Sequence, residues 1–412
     1  MTPTDRRTFL SQTAGAVAGL SIIPTGILAF DFSRFAPVRV AVIGAGRQGR
    51  SILGELGKFE GVEVVALCDT DQRRLDSGIR RTRGAEAYNS HAALLDKADS
   101  FDAVCIATPT HTHRLVATDA LSAGVHVYCE APLEATLEDA AALARAARES
   151  NTVFQVGLHA RSNPVYQLAR SFFRSDAVRG LVSVHGQHNR KTSWRVPSND
   201  PAREKALNWR LDPAVSLGLA GEWGTHQFDS VHWFTGQYPT KIRGIGSVQF
   251  YEDGREIADT ISCQLVFKRG AAMSYDATLA NSYGGRFETL FGTNAAIKLA
   301  QTHAWMFKEA DAPTQGWEVY ANRQQFHNDE GITLIAGATK LAEQGKLQEG
   351  VGLPHPPLYY ALGDFLKSVS EGAKVACSAE EGYRSTVVGI KAAQAVTTGE
   401  EVEVAEADLR IG

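Results

Sequence analysis

Cysteine is scarce in this 412-residue chain: Cys68, Cys105, Cys129, Cys263 and Cys377 make an odd set with no close pair. That pattern argues against a disulfide scaffold and offers no closed metal site. Cys68, Cys105 and Cys129 end apolar β-type runs, where a thiol serves as a small buried hydrophobe. Long apolar runs are also missing; Ala14–Ile23 has only about half the length a membrane-spanning helix needs. Neither sign of charge dominates. With 42 basic and 46 acidic residues mixed along the chain, the net charge of −4 gives no electrostatic case for nucleic acid or anionic lipid as a partner. No G-x-S-x-G elbow, Walker loop, metalloprotease helix, internal repeat or low-complexity tract occurs. What remains is a globular composition, 44% hydrophobic and 21% charged. Its length implies roughly two domains with a cleft between them, suited to a small molecule.

The first thirty residues read as an address. Asp5-Arg6-Arg7-Thr8-Phe9-Leu10 precedes the Ala/Gly-rich stretch Ala14–Ile23, the layout of a twin-arginine export signal. Ile27-Leu28-Ala29 before Phe30 offers an imperfect processing site, so both a cleaved and a retained signal fit. The expected location is periplasmic or secreted. The twin-arginine route carries folded cargo, which suits a protein that loads a cofactor before export.

Val38–Ile43 is a β-branched run ending in Gly44-Ala45-Gly46-Arg47-Gln48-Gly49, after which Ser51 to Lys58 reads as a helix. In this strand, glycine turn and helix, Gly44 permits the tight turn, Gly46 clears the path of a pyrophosphate and Gly49 lets the helix pack on the strand. A second run, Val62–Cys68, ends in Asp69, placed to accept from adenosine ribose hydroxyls and to repel a 2′-phosphate. NAD is therefore the expected cofactor, with Arg73 and Arg74 leaving NADP open. Ala103–Ala107, a helix over Thr110–Ala123, Val125–Cys129, a helix over Leu137–Glu149, and Val153–Gly157 continue the βα alternation of a doubly wound parallel sheet. Thr108-Pro109 and Glu130-Ala131-Pro132 follow strand ends, the edge where such sheets bind ligands. These loops are expected to frame the nicotinamide.

The glycine turn, Ala107-Thr108-Pro109-Thr110-His111-Thr112-His113, the stretch Gly124 to Leu133, and Gly221-Glu222-Trp223-Gly224-Thr225-His226-Gln227-Phe228-Asp229 together resemble the Gfo/Idh/MocA family, named for glucose-fructose oxidoreductase and inositol dehydrogenase. The likeness extends to the closing helices, Tyr359–Glu371 and Ala379–Thr398. It implies an α/β Rossmann domain over 36–157, an α+β substrate and oligomerisation domain over 158–345 with a large, open, mostly antiparallel sheet, and terminal helices over 346–412 that pack back on the body. A homo-oligomer is implied as well. One departure stands out: the family usually carries Glu-Lys-Pro where this chain has Glu130-Ala131-Pro132, and alanine cannot move a proton.

Hydride removal from a carbinol needs a group that also takes the hydroxyl proton. His226 is the first candidate, since it matches the histidine of the family's Asp-x-x-x-His pattern, with Glu222 in place of the aspartate. If the turn is helical, the spacing of four lets Glu222 orient the imidazole. His159, at the domain junction, either faces the nicotinamide or replaces the missing lysine in proton transfer. His111 and His113 start a helix near the cofactor cleft, where neutral hydrogen bonding or simple exposure is the usual fate, and His113 is placed among the residues facing the cofactor. Trp194, Arg195, Asn208, Trp209 and Arg210 supply aromatic faces and planar donors for a sugar ring, or anchor a loop; Asp229 is a second partner in the pocket or a structural hydrogen-bonder. No metal is expected.

Beyond these residues, Thr260–Phe267 and Ala272–Thr278 alternate as half-covered strands, and Ser282–Phe287 reads as a glycine-rich loop bearing Tyr283 and Arg286, either a part of the pocket wall or a simple turn. The expected function is NAD(P)-dependent hydride transfer at a sugar or polyol hydroxyl carbon. Two rivals are an NAD-dependent glycoside hydrolase acting by transient oxidation and elimination, and a non-catalytic sugar or dinucleotide binder.

Overall fold

The computed structural model describes residues 30–34, 36–175 and 177–412; the twin-arginine segment lies outside them. The first domain alternates β1 Val38–Ile43, α1 Arg47–Leu56, β2 Val62–Cys68, α2 Gln72–Ile79, β3 Glu86–Tyr88, α3 His91–Leu95, β4 Ala103–Ile106, α4 His113–Ser122, β5 His126–Cys129, α5 Leu137–Glu149 and β6 Phe154–Val156. All six strands are parallel in the order β3-β2-β1-β4-β5-β6. Val40, Ala41 and Val42 of the central strand are wholly buried, because helices cover both faces. The helix expected from Ser51 begins earlier, at Arg47, since the last glycine of the turn is already helical.

The second domain adds α6 Pro164–Arg174, β7 Leu181–Asn189, α7 Pro201–Leu207, a π-helical turn Ala220–Gly224, α8 Thr225–Thr235, β8 Pro239–Ser247, β9 Thr260–Phe267, β10 Ala272–Thr278, β11 Arg286–Gly292, β12 Ala295–Ala300, β13 His303–Lys308, β14 Arg323–Phe326, β15 Asp329–Thr333 and α9 Ala338–Glu343. With β16 Val402–Glu403, these strands form a ten-stranded sheet ordered β14-β15-β13-β12-β11-β7-β10-β9-β8-β16. It is antiparallel except for the β7–β10 pair. Strand β9 buries every second residue, as period-two patterning requires of a sheet covered on one face. Arg286 and Phe287 open β11 rather than belonging to a loop; only Gly284 and Gly285 before them take positive φ.

Two long helices bind the domains together. α10 Pro357–Glu371 buries Tyr360, Leu362, Phe365 and Leu366 in the same cluster as Val40 and Val42. α11 Ala379–Thr398 gives Tyr383 and Val387 to the Rossmann core and Val388, Ala392 and Ala395 to the sheet core. Close approach is required on both sides: a Cβ on Gly382 would lie 2.4 Å from the Val156 side chain, and one on Gly389 would lie 1.9 Å from Thr225 Oγ1. α11 thus sets β6 and the start of α8 against a single rod.

Asp229, one of the pocket candidates, belongs to this seam and not to a pocket. Its side chain is fully buried, accepts two bonds from Arg161 Nε (3.0 and 3.2 Å) and one from Arg161 Nη2 (2.8 Å), and accepts from Ser385 Oγ on α11 at 2.7 Å. Arg161 also reaches Glu381, the acid of the capping box that starts α11. A buried carboxylate takes the nearest guanidinium because an unpaired one would be strongly disfavoured. Asp229→Asn is expected to destabilise the protein by about 3–5 kcal/mol, leaving Arg161 buried with its main partner neutralised. A denaturant titration checks this, and an unchanged midpoint would count against the seam's importance.

Candidate active site

The glycine turn shows three different spatial demands. A Cβ on Gly44, whose φ is +100°, would lie 2.5 Å from the Ala107 carbonyl oxygen, and one on Gly49 would lie 1.7 Å from the Gly44 carbonyl oxygen. At Gly46 the nearest atom would be Arg74 Nη1 at 3.6 Å, so the space outside this residue is open. α1 begins at Gly46 with no side-chain cap, leaving its first N–H groups to a ligand. Arg47, Arg74, Arg190 and Arg210 stand close enough to repel one another: burial and Arg190 hold Arg47 below its ordinary value, and Arg47 and Arg74 act on Arg210. Open backbone amides ringed by mutually repelling cations suit a pyrophosphate, so these residues fit a dinucleotide.

Asp69 is buried at the end of β2. Its Oδ2 accepts from Ala45 N at 2.7 Å and its Oδ1 from Asp71 N at 2.8 Å. It therefore fastens the glycine turn to β2, with one lone-pair direction left on each oxygen for a ribose hydroxyl. Burial raises its pKa against these bonds. At the next two strand ends the loops are tied to each other. His113 is buried, its Nδ1 2.9 Å from the Pro132 carbonyl and its Nε2 3.0 Å from that of Thr108. The expectation that His113 faces the cofactor is corrected: the ring sits between the two loops, where buried carbonyls need a partner. Thr112 Oγ1 donates within the same turn, 2.7 Å from Pro109 O and 2.9 Å from Thr108 Oγ1.

Glu130 joins the turn to the junction. Its Oε1 accepts from Gln48 Nε2 at 2.9 Å, and its Oε2 lies 3.5 Å from His159 Nε2. The His159 and His226 rings are 5.7 Å apart between centroids, and His226 hydrogen-bonds the backbone carbonyl of Ala131. Alanine at the family's lysine position still contributes its backbone oxygen. Desolvation first, then Arg286, His159 and His188, hold His226 well below the ordinary histidine pKa of 6.5, so its resting form is neutral.

Glu222 does not orient His226. It lies in the π turn and spends Oε2 on Thr110 Oγ1 (3.2 Å) and on Arg210 Nε (3.7 Å); no hydrogen bond or ion pair joins it to the imidazole. A nearly buried carboxylate turns to the nearest cation, and here that cation is Arg210. Burial raises the Glu222 pKa despite this partner. Arg210 also lies over the Trp209 ring at 4.3 Å, and Trp194 meets Trp223 edge-on at 5.5 Å. Two further residues face the cleft: His188, which carried no motif signal in the sequence, and Arg286, expected in the glycine-rich loop. His188 stacks on Trp223 at 3.8 Å, and Arg286 lies beside it on the next strand. Strand alternation alone could have put both on the covered face.

Residues 190–219, between β7 and the π turn, form a strap. It is braced on the sheet domain by Arg195 and Asp253 (2.8 Å) and on the Rossmann domain by an ion pair of Arg203 with Asp71. Farther along, Trp209 meets the His111 ring at 5.9 Å. Asp71 follows β2 and His111 follows β4, and β1 lies between those strands in the sheet, so the strap passes over the glycine turn. Arg203→Ala is expected to speed release of bound NADH by at least about threefold, with Asp71→Arg combined with Arg203→Asp restoring slow release. Stopped-flow displacement checks this; equal release rates would exclude a latch.

Among the described residues no helix is long and apolar enough to cross a membrane, and no group of three or more His, Cys, Asp or Glu could hold a metal. All five cysteines are free and buried.

Comparison with known proteins places this geometry. Residues 38–158 match the NAD-binding Rossmann fold of the GFO/IDH/MocA oxidoreductases, and residues 166–298 match the C-terminal domain of the same proteins. The chain belongs to the GFO/IDH/MocA family. It is 26% identical over 323 residues to a levoglucosan dehydrogenase of Pseudarthrobacter phenanthrenivorans, covering 72% of this chain and 78% of that one. It is 25% identical over 380 residues to inositol 2-dehydrogenase 1 of Saccharopolyspora erythraea, covering 90% and 97%. A solved levoglucosan dehydrogenase in complex with NADH and levoglucosan shares the fold, with TM-score 0.70, 21% identity and coverage of 90% and 99%. The chain is thus an NAD-binding family oxidoreductase, and its sheet architecture is that of the family.

Proposed function

We propose that this member of the GFO/IDH/MocA family transfers hydride between NAD and a ring hydroxyl carbon of a sugar or polyol, with His226 taking the hydroxyl proton. The observation that carries the reading is the His226 imidazole at the junction, beside the Ala131 carbonyl and with its ring 5.7 Å from that of His159, where desolvation holds its pKa well below the ordinary histidine value. When bound, NAD supplies the hydride acceptor, held by Gly44, Gly46, Gly49, Asp69 and the surrounding arginines. His226 accepts the hydroxyl proton as a neutral imidazole. His159, next to Glu130, is the group through which that proton leaves, in place of the lysine missing at 131. Trp194, Trp209 and Trp223 give the sugar ring apolar faces, and Arg210 gives a planar donor. The dehydrogenase names of the relatives support the substrate class. The same reading includes export through Arg6-Arg7 and self-association over the open face of the ten-stranded sheet, where Ile245 and Phe291 are exposed.

The test is to incubate NAD-loaded protein with levoglucosan, myo-inositol and a panel of aldoses and glycosides, following NADH and released aglycone together. NADH formation with a free sugar or polyol supports the reading. Aglycone release without net NADH would transfer the protein to transient-oxidation glycoside hydrolysis, and no turnover of any compound would count against catalysis.

A further inference from the structure

We propose that Arg286 recognises a carboxylate on the substrate, so that the sugar handled by this protein is acidic: a hexuronate or a glycoside of one. The inference rests on the sugar-oxidoreductase reading above and names the substrate class of that same site.

The placement follows from the sheet. In the antiparallel pairing of β11 with β7, Arg286 lies directly opposite His188. Helix α8 is pinned over this pair by Gln227, whose Nε2 donates to the Phe287 carbonyl at 2.9 Å and the Gln187 carbonyl at 3.1 Å. That clamp brings His226, the residue before Gln227, into the field of Arg286. His188 is itself stacked on Trp223, so an aromatic wall lies on the strand next to Arg286, whose charge acts on both His188 and His226.

The Arg286 charge is incompletely answered by the protein. Its side chain is 19% exposed, and its Nε lies 3.8 Å from Glu288 Oε1, beyond hydrogen-bond length. Both of those atoms are buried without a close hydrogen-bond partner, and the Glu288 carboxylate is held by Tyr166 Oη at 2.7 Å and by Gln227 rather than by Arg286. Among the described residues no protein acceptor bonds the two terminal nitrogens of Arg286, whereas the buried Arg161 has all three nitrogens engaged by carboxylates. A planar fork left open inside a covered cleft matches the two oxygens of a carboxylate, which a neutral hydroxyl cannot imitate. Of the acids that would oppose such a ligand, Glu130 and Glu222 are engaged toward the Rossmann side, by Gln48 and by Thr110 and Arg210, and Glu288 lies fully buried behind the guanidinium, bonded by Tyr166 and with its pKa raised by desolvation. An acidic sugar would therefore lie with its carboxylate toward β11 and its reacting hydroxyl toward His226.

The experiment is calorimetric titration of the NADH-loaded protein with matched pairs: glucuronate and glucose, galacturonate and galactose, mannuronate and mannose. At least one acid is expected to bind at least about tenfold more tightly than its parent sugar. That gap should collapse in Arg286→Gln and persist in part in Arg286→Lys, which keeps the charge for Glu288. Unchanged NADH affinity and melting temperature show that the variants fold. Equal binding of acid and parent sugar, or a gap that survives Arg286→Gln, overturns the inference while leaving the sugar reading in place. Binding of NADH with no binding of any sugar overturns the sugar reading itself.

Discussion

Replacing His226 with alanine is expected to lower kcat for NAD reduction by roughly 10²- to 10⁴-fold, the usual contribution of a positioned general base. NADH affinity should stay at the wild-type level, because nothing in the glycine turn touches this ring. Steady-state rates on the substrate found by the panel, paired with NADH fluorescence titration, separate the two effects. A loss confined to KM would reassign His226 to binding. The same residue sets the pH dependence. Oxidation needs the neutral imidazole, which is populated above its folded pKa; desolvation and the neighbouring Arg286 place that pKa below 6.5. The acid limb of kcat/KM should accordingly fall below pH 6.5, with a flat profile from there to about pH 8. A limb at or above pH 7 would show that another group is the base.

Gly46→Val is expected to abolish NADH binding, by at least about a hundredfold, in a protein that still folds. Gly49→Ala should instead damage the fold. The difference lies in what each new carbon meets. Outside Gly46 there is only the flexible end of Arg74 at 3.6 Å, in the space where the pyrophosphate would run. Outside Gly49 there is the Gly44 carbonyl at 1.7 Å, backbone that can move only by breaking the turn. The overpacking cost is about 1–3 kcal/mol or more, read as a lower melting temperature. Were Gly46→Val to bind NADH normally, or Gly49→Ala to melt with the wild type, the glycine roles derived above would be wrong.

The sequence was most legible where structure is local. A β-branched run and a glycine at positive φ are decided by residues within a few positions of one another, so β1 and the turn fall where expected and only the start of α1 moves, from Ser51 to Arg47. Strands β2, β9 and β10 and helix α5 fell on their expected ranges for the same reason: burial period and turn chemistry repeat every two or 3.6 residues. The site was less legible because its partners are distant in the chain. Glu222 and His226 are four residues apart and look paired, yet Glu222 finds Thr110, 112 positions earlier. Asp229 looks like a pocket acid, but it meets Arg161 and Ser385, 68 and 156 positions away. His113 looks exposed at a helix start and is buried between two loops.

By itself, the sequence determined that a dinucleotide turn exists and that the sheet is parallel and covered on both faces. These follow from short-range sterics and side-chain chemistry. Only the tertiary structure decided that the Ala131 carbonyl lies against His226, that residues 190–219 pair with Asp71 through Arg203, and that Arg286 comes opposite His188 with its terminal nitrogens unbonded by the described residues. Each of these depends on which distant carbonyl, cation or carboxylate comes within about 3–4 Å once both cores have closed around α11, and that distance is set by packing between elements that share no local pattern.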